Sequence, residues 1–210
     1  LTSIRLSNVD RPPQVIAVTS TTPSEGKTTI ATWLSQVTAM AGKKVVFVDC
    51  DLRRPSVHKG FKIDNELSLV EVLAGTSSLE EVLQKDEKTG LFIVPGREVG
   101  STALDLIASE QMIALTDQLR KQFDLIILDA PPILAVADSR MVARLADKSA
   151  YVVKWNETPK GLVKHGLKIA SEAQIDVAGT VLAQINTKKH AYYGYHDYGY
   201  YYGKYKGYYS

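Results

Sequence analysis

The sequence predicts an α/β fold in which helices flank both faces of a mostly parallel sheet, followed by a disordered C-terminal tail. Short runs made only of apolar residues recur over the first 186 positions, which is typical of strands buried on both faces. Segments with helical spacing separate these runs, and strands that alternate with helices form parallel sheets. The last 24 residues, in contrast, contain no aliphatic residue beyond Ala191, so they cannot bury enough apolar area to offset their conformational entropy.

The first strand is predicted at 15–18. The helix that follows is predicted at 27–41, where Gly42 ends a stretch with apolar residues at helical spacing, namely Ile30, Leu34, Val37 and Met40. Trp33 lies on this helix and is expected to pack against the body. The remaining strands are predicted at 45–48, 91–94, 125–128, 150–153 and 177–182, and the remaining helices near 67–73, 79–83, 109–121, 139–146 and 159–173. Right-handed crossovers then place the carboxyl ends of the strands, and any ligand, along one edge of the sheet.

Three segments are expected: a lead-in at 1–13, a catalytic domain at 14–186 and a flexible tyrosine-rich tail at 187–210. The chain contains one cysteine, Cys50, so it forms no intrachain disulfide, which fits a reducing compartment. The chain lacks any run of about 18 apolar residues that could span a bilayer. It begins with Leu1 rather than methionine and shows no signal peptide, so we expect a soluble fragment of a longer protein.

A phosphate-binding loop is predicted between the first strand and the first helix. Gly26-Lys27-Thr28 matches the end of the P-loop pattern, in which backbone amides at a helix N-terminus surround phosphate oxygens. Lys27 is expected to reach the β- and γ-phosphates of ATP, and the Thr28 hydroxyl is expected to bind Mg²⁺. The residues predicted to contact the nucleotide are Thr22, Pro23, Ser24, Glu25, Gly26, Lys27, Thr28, Thr29 and Arg53.

Three aspartates are predicted to lie at the same edge of the sheet as this loop. Asp49 and Asp51 follow the second apolar run, and Asp129 follows the fourth. Such carboxylates hold magnesium directly or through its waters, and a metal is needed because acids beside a triphosphate otherwise repel it. Asp138 has two interpretations, as a helix N-cap or as a group that orients the γ-phosphate. Arg53 and Arg54 either clamp phosphate or are ordinary exposed arginines.

Four features together resemble the bacterial tyrosine kinases of capsule and exopolysaccharide assembly (BY-kinases), which are related to the MinD/ParA branch of P-loop ATPases. They are Glu25-Gly26-Lys27-Thr28 as Walker A, Val48-Asp49-Cys50-Asp51-Leu52-Arg53 as Walker A′, Ile127-Leu128-Asp129-Ala130-Pro131-Pro132 as Walker B, and the tyrosine-rich C-terminus. The resemblance implies that Lys27, Asp49, Asp51 and Asp129 are catalytic. It also implies that Thr28, Asp51 and Asp129 organise magnesium, and that Asp49 accepts the tyrosine proton.

The resemblance further implies partners and a location. Members form a ring in which the tail of one subunit enters the active site of its neighbour. They are driven by a membrane-embedded activator of the polysaccharide co-polymerase type, fused or separate, at the cytoplasmic face of the inner membrane. A cognate tyrosine phosphatase is expected as a partner, and nucleic acid is not. The expected phosphate acceptors are Tyr192, Tyr193, Tyr195, Tyr198, Tyr200, Tyr201, Tyr202, Tyr205, Tyr208 and Tyr209.

Two alternatives stay open. A MinD/ParA-like ATPase has the same fold, although such proteins carry a second lysine in the loop where this chain has Thr22. A catalytically inactive nucleotide-binding scaffold with an adhesive tail is the other alternative, although it would not need Lys27 together with all three aspartates. The chain also has Ala183 where many relatives of the family have an asparagine that reads adenine, which leaves Gln184 and Asn186 as candidates for that contact.

Overall fold

The computed structural model describes residues 12–186, which form one seven-stranded sheet with the strand order β3-β4-β2-β5-β1-β6-β7. Every pairing is parallel except that of β3 with β4. The strands are β1 (Val15–Ser20), β2 (Val45–Asp49), β3 (Gln84–Asp86), β4 (Leu91–Val94), β5 (Leu125–Asp129), β6 (Lys148–Lys154) and β7 (Val177–Ala183). The helices are α1 (Lys27–Met40), α2 (Val57–Phe61), α3 (Leu69–Ala74), α4 (Leu79–Val82), α5 (Ala103–Ile107), α6 (Glu110–Gln122), α7 (Asp138–Leu145) and α8 (Lys160–Glu172), with a 3₁₀ turn at Gly100–Thr102.

The central strands are buried on both faces, as their uniformly apolar sequences predict. All residues of β1, β2 and β5 are buried. Successive residues of β1 enter different cores, since Ile16 and Val18 pack under α1 and α2 whereas Val15 and Ala17 pack against the other helices. The predicted α/β class, with a mostly parallel sheet covered on both faces, is therefore confirmed.

The polar edge strand β3 was not predicted, because Gln84-Lys85-Asp86 has no apolar pattern and pairs with only one neighbour. The short helices α2 and α5 were also not predicted. Each has five residues, too few for a helical period to be recognised.

The orientation of α1 corrects one expectation. Trp33 does not pack: it is 61% exposed, and Val37 and Met40, four and seven residues further along, are 67% and 70% exposed. Small residues face the sheet instead, with Ala31 and Ser35 completely buried. The helix therefore presents Trp33, Val37 and Met40 outward, whereas Ile30 and Leu34 are half-buried against the core.

The lead-in up to residue 11 and the tail from residue 187, with all ten predicted acceptor tyrosines, lie outside the described residues. The remaining tyrosine, Tyr151 of β6, is completely buried. Across residues 12–186, none of the helices has the length and apolar character needed to cross a membrane.

Candidate active site

The candidate active site lies where β1, β2 and β5 end. Asp49 and Asp129 are the last residues of β2 and β5 and are direct partners in the parallel register of these strands. The loop between β1 and α1 crosses the same edge, so the predicted P-loop and the predicted aspartates do meet. This is the edge at which open α/β sheets bind ligands.

The backbone of the P-loop has the conformation of an anion-binding turn. Ser24 and Gly26 have positive φ angles of 67° and 95°, and Gly26 is the N-cap of α1. This N-cap has no side chain, so no side-chain hydrogen bond caps the first amides of the helix. Those amides, together with the positive end of the helix dipole, can therefore bind phosphate oxygens.

Lys27 connects the loop to two of the aspartates. Its Nζ lies 3.0 Å from Asp51 Oδ2 and 3.3 Å from Asp129 Oδ1, and its side chain is only 12% exposed. Burial lowers the pKa of the Lys27 ammonium, but the charges of Asp129 and Asp51 outweigh it, so the pKa lies above its ordinary value. The Thr28 hydroxyl donates a hydrogen bond of 2.6 Å to Asp129 Oδ2. Lys27 is thus a charged group at the base of the loop.

Asp49, like Asp129, is completely buried. Its Oδ1 accepts a hydrogen bond from the Asp51 amide, and its Oδ2 accepts from the amides of Ser56 and Val57, each at 3.2 Å. Burial, and then the charge of Asp129, raise the pKa of the Asp49 carboxyl to about 7. Burial also raises the pKa of Asp129, although the Lys27 charge opposes that shift. Asp49 thereby fixes the segment after β2, while its own carboxyl is poised to change charge near neutral pH.

A cavity of about 660 Å³ opens at this edge, within the size range of small-molecule sites. Asp51 lies on its wall, whereas Asp49 and Asp129 lie behind the wall. The predicted nucleotide contacts that line it are Pro23, Ser24, Gly26, Lys27, Thr28, Thr29 and Arg53. Further wall residues, which were not predicted to contact the nucleotide, are Pro131 and Pro132 of the Walker B segment and Ala135 and Val136 after it.

Two predicted nucleotide contacts, Thr22 and Glu25, do not line the cavity. The Glu25 carboxylate accepts hydrogen bonds from the Thr22 amide at 2.7 Å, from the Lys154 amide at 3.5 Å and from the Thr158 hydroxyl. Glu25 is 2% exposed, so its side chain fastens the loop to the segment that follows β6 rather than facing the cavity. A nucleotide contact of Glu25 would therefore have to come from its backbone and not from its side chain.

Asp138 is not the N-cap of α7. Ala137 holds that position without a side-chain hydrogen bond, because the helix begins one residue earlier than predicted, at Asp138 itself. The Asp138 carboxylate is 2% exposed and lies 2.6 Å from Arg53 Nε. Of the two predicted arginines, Arg53 is therefore held in place at the cavity wall, whereas Arg54 has an exposed side chain.

Gln184 forms the opposite rim of the cavity. Its side-chain amide donates a hydrogen bond of 3.0 Å to the Ser24 carbonyl, and its backbone has a positive φ of 56°. A methyl group on Gly26 would lie 3.3 Å from the Gln184 amide nitrogen, so the glycine leaves room for this contact. The chain beyond Asn186 thus leaves the described fold beside the P-loop.

The donor set at the site fits magnesium. Thr28, Asp51 and Asp129 supply one hydroxyl and two carboxylates, which are hard oxygen ligands. Magnesium usually binds through one or two protein carboxylates and completes its octahedron with waters and substrate phosphates. No cluster of three or more His, Cys, Asp or Glu residues suited to a metal occurs in residues 12–186.

Comparison with known proteins gives consistent results. The AAA domain family matches residues 13–154. The tyrosine-protein kinase YwqD of Bacillus subtilis is 33% identical over 195 residues, covering 93% of this chain and 82% of that protein. The chain spans only 24–27% of the length of other curated tyrosine-protein kinases that it matches.

The crystal structure of the VpsO kinase domain superposes with a TM-score of 0.81 at 33% identity, covering 88% of this chain and 91% of that one. The septum site-determining protein MinD of Pyrococcus horikoshii, solved with Mg-ADP, shares the fold, with a TM-score of 0.69 at 22% identity over 80% of this chain and 69% of that one.

Proposed function

The chain belongs to the family of bacterial tyrosine-protein kinases, and we propose on this premise that it transfers the γ-phosphoryl group of ATP to tyrosines of its own C-terminal segment. The observation that carries the proposal is the position of Lys27. Its ammonium lies between the Asp51 and Asp129 carboxylates at the cavity, and Gln184, three residues before the tyrosine-rich tail begins, lies on the rim of the same cavity. The segment that carries the acceptor tyrosines therefore begins beside the proposed phosphoryl-donor site.

Positioning and charge neutralisation account for most of phosphoryl-transfer catalysis, and this site offers both. The amides at the start of α1 and the Lys27 ammonium bind the phosphates, and Arg53, held by Asp138, adds a positive charge at the wall. Magnesium, which Thr28, Asp51 and Asp129 would hold, neutralises part of the charge of the triphosphate. The remaining nucleotide contacts that we propose are made by Pro23, Ser24, Gly26 and Thr29, which line the cavity.

In the reaction, the bond between the γ-phosphorus and the oxygen that leaves with ADP breaks, and a bond to the tyrosine oxygen forms. The phenolic proton, with an ordinary pKa of ~10, must pass to a base. The family resemblance assigns this role to Asp49, whose pKa of about 7 suits proton exchange near neutral pH, although its carboxyl is completely buried behind the cavity wall. Asp51 is the alternative base because it, unlike Asp49, lies on the cavity wall.

The biological setting follows from the family resemblance and is part of the proposal. The tail of one copy enters the site of a neighbouring copy in a ring, and a membrane-embedded polysaccharide co-polymerase, fused or separate, activates the kinase at the cytoplasmic face of the membrane. Tail phosphorylation then regulates polymer assembly and export, and a tyrosine phosphatase reverses it. Each phosphate adds about −1.5 to −2 charges, so a few of them convert a basic tail into an acidic one.

Mass spectrometry of the full chain after incubation with ATP and magnesium tests the proposal. We expect phosphates on tail tyrosines in the wild-type chain and none in Lys27→Met. ATP hydrolysis without phosphotyrosine would favour a MinD/ParA-like ATPase, and ATP binding without either reaction would favour an inactive scaffold. Both of these outcomes overturn the kinase assignment.

A further inference from the structure

A second cavity of about 660 Å³ lies beside the nucleotide cavity and shares Arg54 and Ser56 with it. We call it the basic cavity; its wall includes Arg54, Ser56, His58, Lys59, Asn65 and Arg97. The shared residues follow Asp51 in the chain, and the Arg54 amide donates hydrogen bonds to the Asp51 carbonyl and carboxylate at 3.1 Å and 3.2 Å. The basic cavity therefore adjoins the part of the site where Asp51 and Lys27 meet.

The walls of the basic cavity are fixed by interactions with the sheet. The buried Asp49 carboxylate holds the Ser56 and Val57 amides, and so positions the start of α2, which carries His58 and Lys59. On the opposite wall, the Asn65 side chain donates a hydrogen bond of 3.1 Å to the Gly96 carbonyl. Nearby, the Val99 amide bonds the Leu52 carbonyl at 3.1 Å.

Gly96 contributes to this fixed geometry because a methyl group there would lie 2.8 Å from the backbone oxygen of Asp49. Only a residue without a side chain lets the 95–99 loop approach the end of β2 so closely. The backbone around the basic cavity is therefore set by the fold, whereas most of the side chains that line it are exposed.

The charge of the basic cavity is positive. Within residues 12–186, neither the Arg54 guanidinium nor the Lys59 ammonium forms an ion pair, whereas Arg97 is paired with Glu71. The one acidic residue on the wall is Glu98, so two unpaired cations face one carboxylate. In the same part of the chain the buried Nδ1 of His58 has no hydrogen-bond partner. These groups favour an anionic ligand that accepts hydrogen bonds.

The wall chemistry also restricts what kind of anion fits. Pro55 is the only residue on the wall whose side chain is entirely apolar, so a second nucleobase would find little surface to pack against. A phosphate ester on a planar ring suits the wall better, because a guanidinium group both pairs with phosphate and stacks on aromatic faces. The proposed reaction makes that group in the adjoining cavity.

We propose that the basic cavity binds phosphotyrosine of an already modified C-terminal segment, and so keeps that segment at the active site for the next transfer. This inference rests on the proposed kinase function. Neighbouring tyrosines of the segment are one to three residues apart, which corresponds to at most about 3–11 Å of extended chain. A docked phosphotyrosine therefore leaves an unmodified tyrosine within reach of the adjoining nucleotide cavity. Holding it there raises its effective concentration and makes successive modification faster than the first.

Binding can be measured without catalysis. The full-length Lys27→Met chain, saturated with Mg-ADP to fill the phosphate loop, is titrated with a peptide copying residues 196–206 that carries one phosphate on Tyr201. We expect this peptide to bind and its unphosphorylated form to bind at least about tenfold more weakly. The double variant Lys59→Gln/Arg97→Gln should remove most of this difference in affinity. Lys168→Gln, an exposed lysine of α8, is the matched control and should retain it. Equal binding of the two peptides, or an undiminished difference in the double variant, overturns the proposal.

Phenyl phosphate and inorganic phosphate serve as competitors that distinguish the possible sources of the anion. Phenyl phosphate should displace the peptide at lower concentration than inorganic phosphate does. If inorganic phosphate competes equally well, the cavity is a general anion site and the phosphotyrosine assignment fails.

The time course of phosphate incorporation separates this inference from the kinase function itself. In the wild-type chain, intact-mass spectra should show multiply phosphorylated chains early, with few singly phosphorylated ones. In Lys59→Glu, which changes one exposed side chain, the rate of later transfers relative to the first should fall several-fold. Absence of the first phosphate in the wild type would refute the kinase assignment. A normal first phosphate with an unchanged distribution in the variant would refute the docking site alone.

Discussion

Asp49 and Asp129 face each other as register partners at the ends of β2 and β5, and both are completely buried. Burial raises the pKa of both carboxyl groups, and the charge of Asp129 raises the pKa of Asp49 further. Lys27 supplies the compensating positive charge. The arrangement leads to a prediction about pH.

We expect the stability of the chain to depend on the protonation of Asp49. Its carboxyl has a pKa of about 7 in the folded chain, against an ordinary value of 3.8. Between those values the folded state binds more protons than the unfolded state, so this group makes the free energy of unfolding decrease as the pH rises from about 4 to 7, by an amount on the order of a few kcal/mol. This contribution is absent in Asp49→Asn. The free energy of unfolding of the variant should therefore rise relative to that of the wild type as the pH increases, and the difference should level off above pH ~7.

Urea unfolding of both chains at several pH values, without nucleotide or metal, measures this difference. Asp117→Asn, at an exposed position of α6, is the control and should run parallel to the wild type. Parallel curves for Asp49→Asn as well would show that folding does not raise the pKa of Asp49.

The hydrogen bonds that the Glu25 carboxylate accepts, which we call the Glu25 brace, give a second prediction. Thr158→Val removes the hydroxyl that donates to Glu25 and leaves a buried carboxylate with fewer partners. We expect a loss of about 1–3 kcal/mol in the free energy of unfolding, together with a higher KM for ATP because the P-loop is held less firmly. Thr180→Val, on the exposed side of β7, makes the same chemical change without such a contact and should have little effect on either quantity. An unaltered KM in Thr158→Val would show that the brace stabilises the fold without shaping the loop.

The ion pair between Arg53 and Asp138 predicts that replacing Arg53 lowers the stability more than replacing its neighbour Arg54. Arg53→Met leaves the buried Asp138 carboxylate without its cation and should destabilise the chain by about 1–3 kcal/mol, whereas Arg54→Met should change stability little because Arg54 forms no ion pair in residues 12–186. Thermal or urea unfolding of the two variants measures this. Equal stabilities would mean that Asp138 is compensated by another group.

Alanine substitutions at two glycines of α8 should change the stability of the chain in opposite directions. A methyl group on Gly166 would overlap the hydroxyl oxygen of buried Tyr151, so Gly166→Ala should destabilise by about 1–3 kcal/mol through overpacking. Gly161 has open space around it, and Gly161→Ala should stabilise by up to about 1 kcal/mol through helix propensity. Unfolding midpoints that move in the same direction would contradict this packing.

The central strands and the P-loop could be predicted from the sequence because their signals are local. Uniform apolar runs mark strands buried on both faces, and Gly26-Lys27-Thr28 directly follows one of them. The orientation of α1 could not be predicted, since Trp33, Val37 and Met40 satisfy a helical period on the outer face while Ala31 and Ser35 lie against the sheet.

The fine structure of the site depends on contacts between distant parts of the chain. Glu25 bonds Thr158 across 133 residues, and Arg53 pairs with Asp138 across 85, and no local pattern reports either contact. A difference of one residue in the start of α7 was enough to make Asp138 look like a cap. The types of residue at the site could thus be predicted from the sequence. The three-dimensional structure was needed to show which of them face the cavity and which hold the loops in place.

The hydrogen bond from Gln184 to the Ser24 carbonyl joins the last described strand to the loop that surrounds the phosphates. The Gln184 side chain therefore couples the end of β7 to the backbone of that loop. A molecule that displaced Gln184 by binding the chain beyond it would change the shape of the nucleotide cavity.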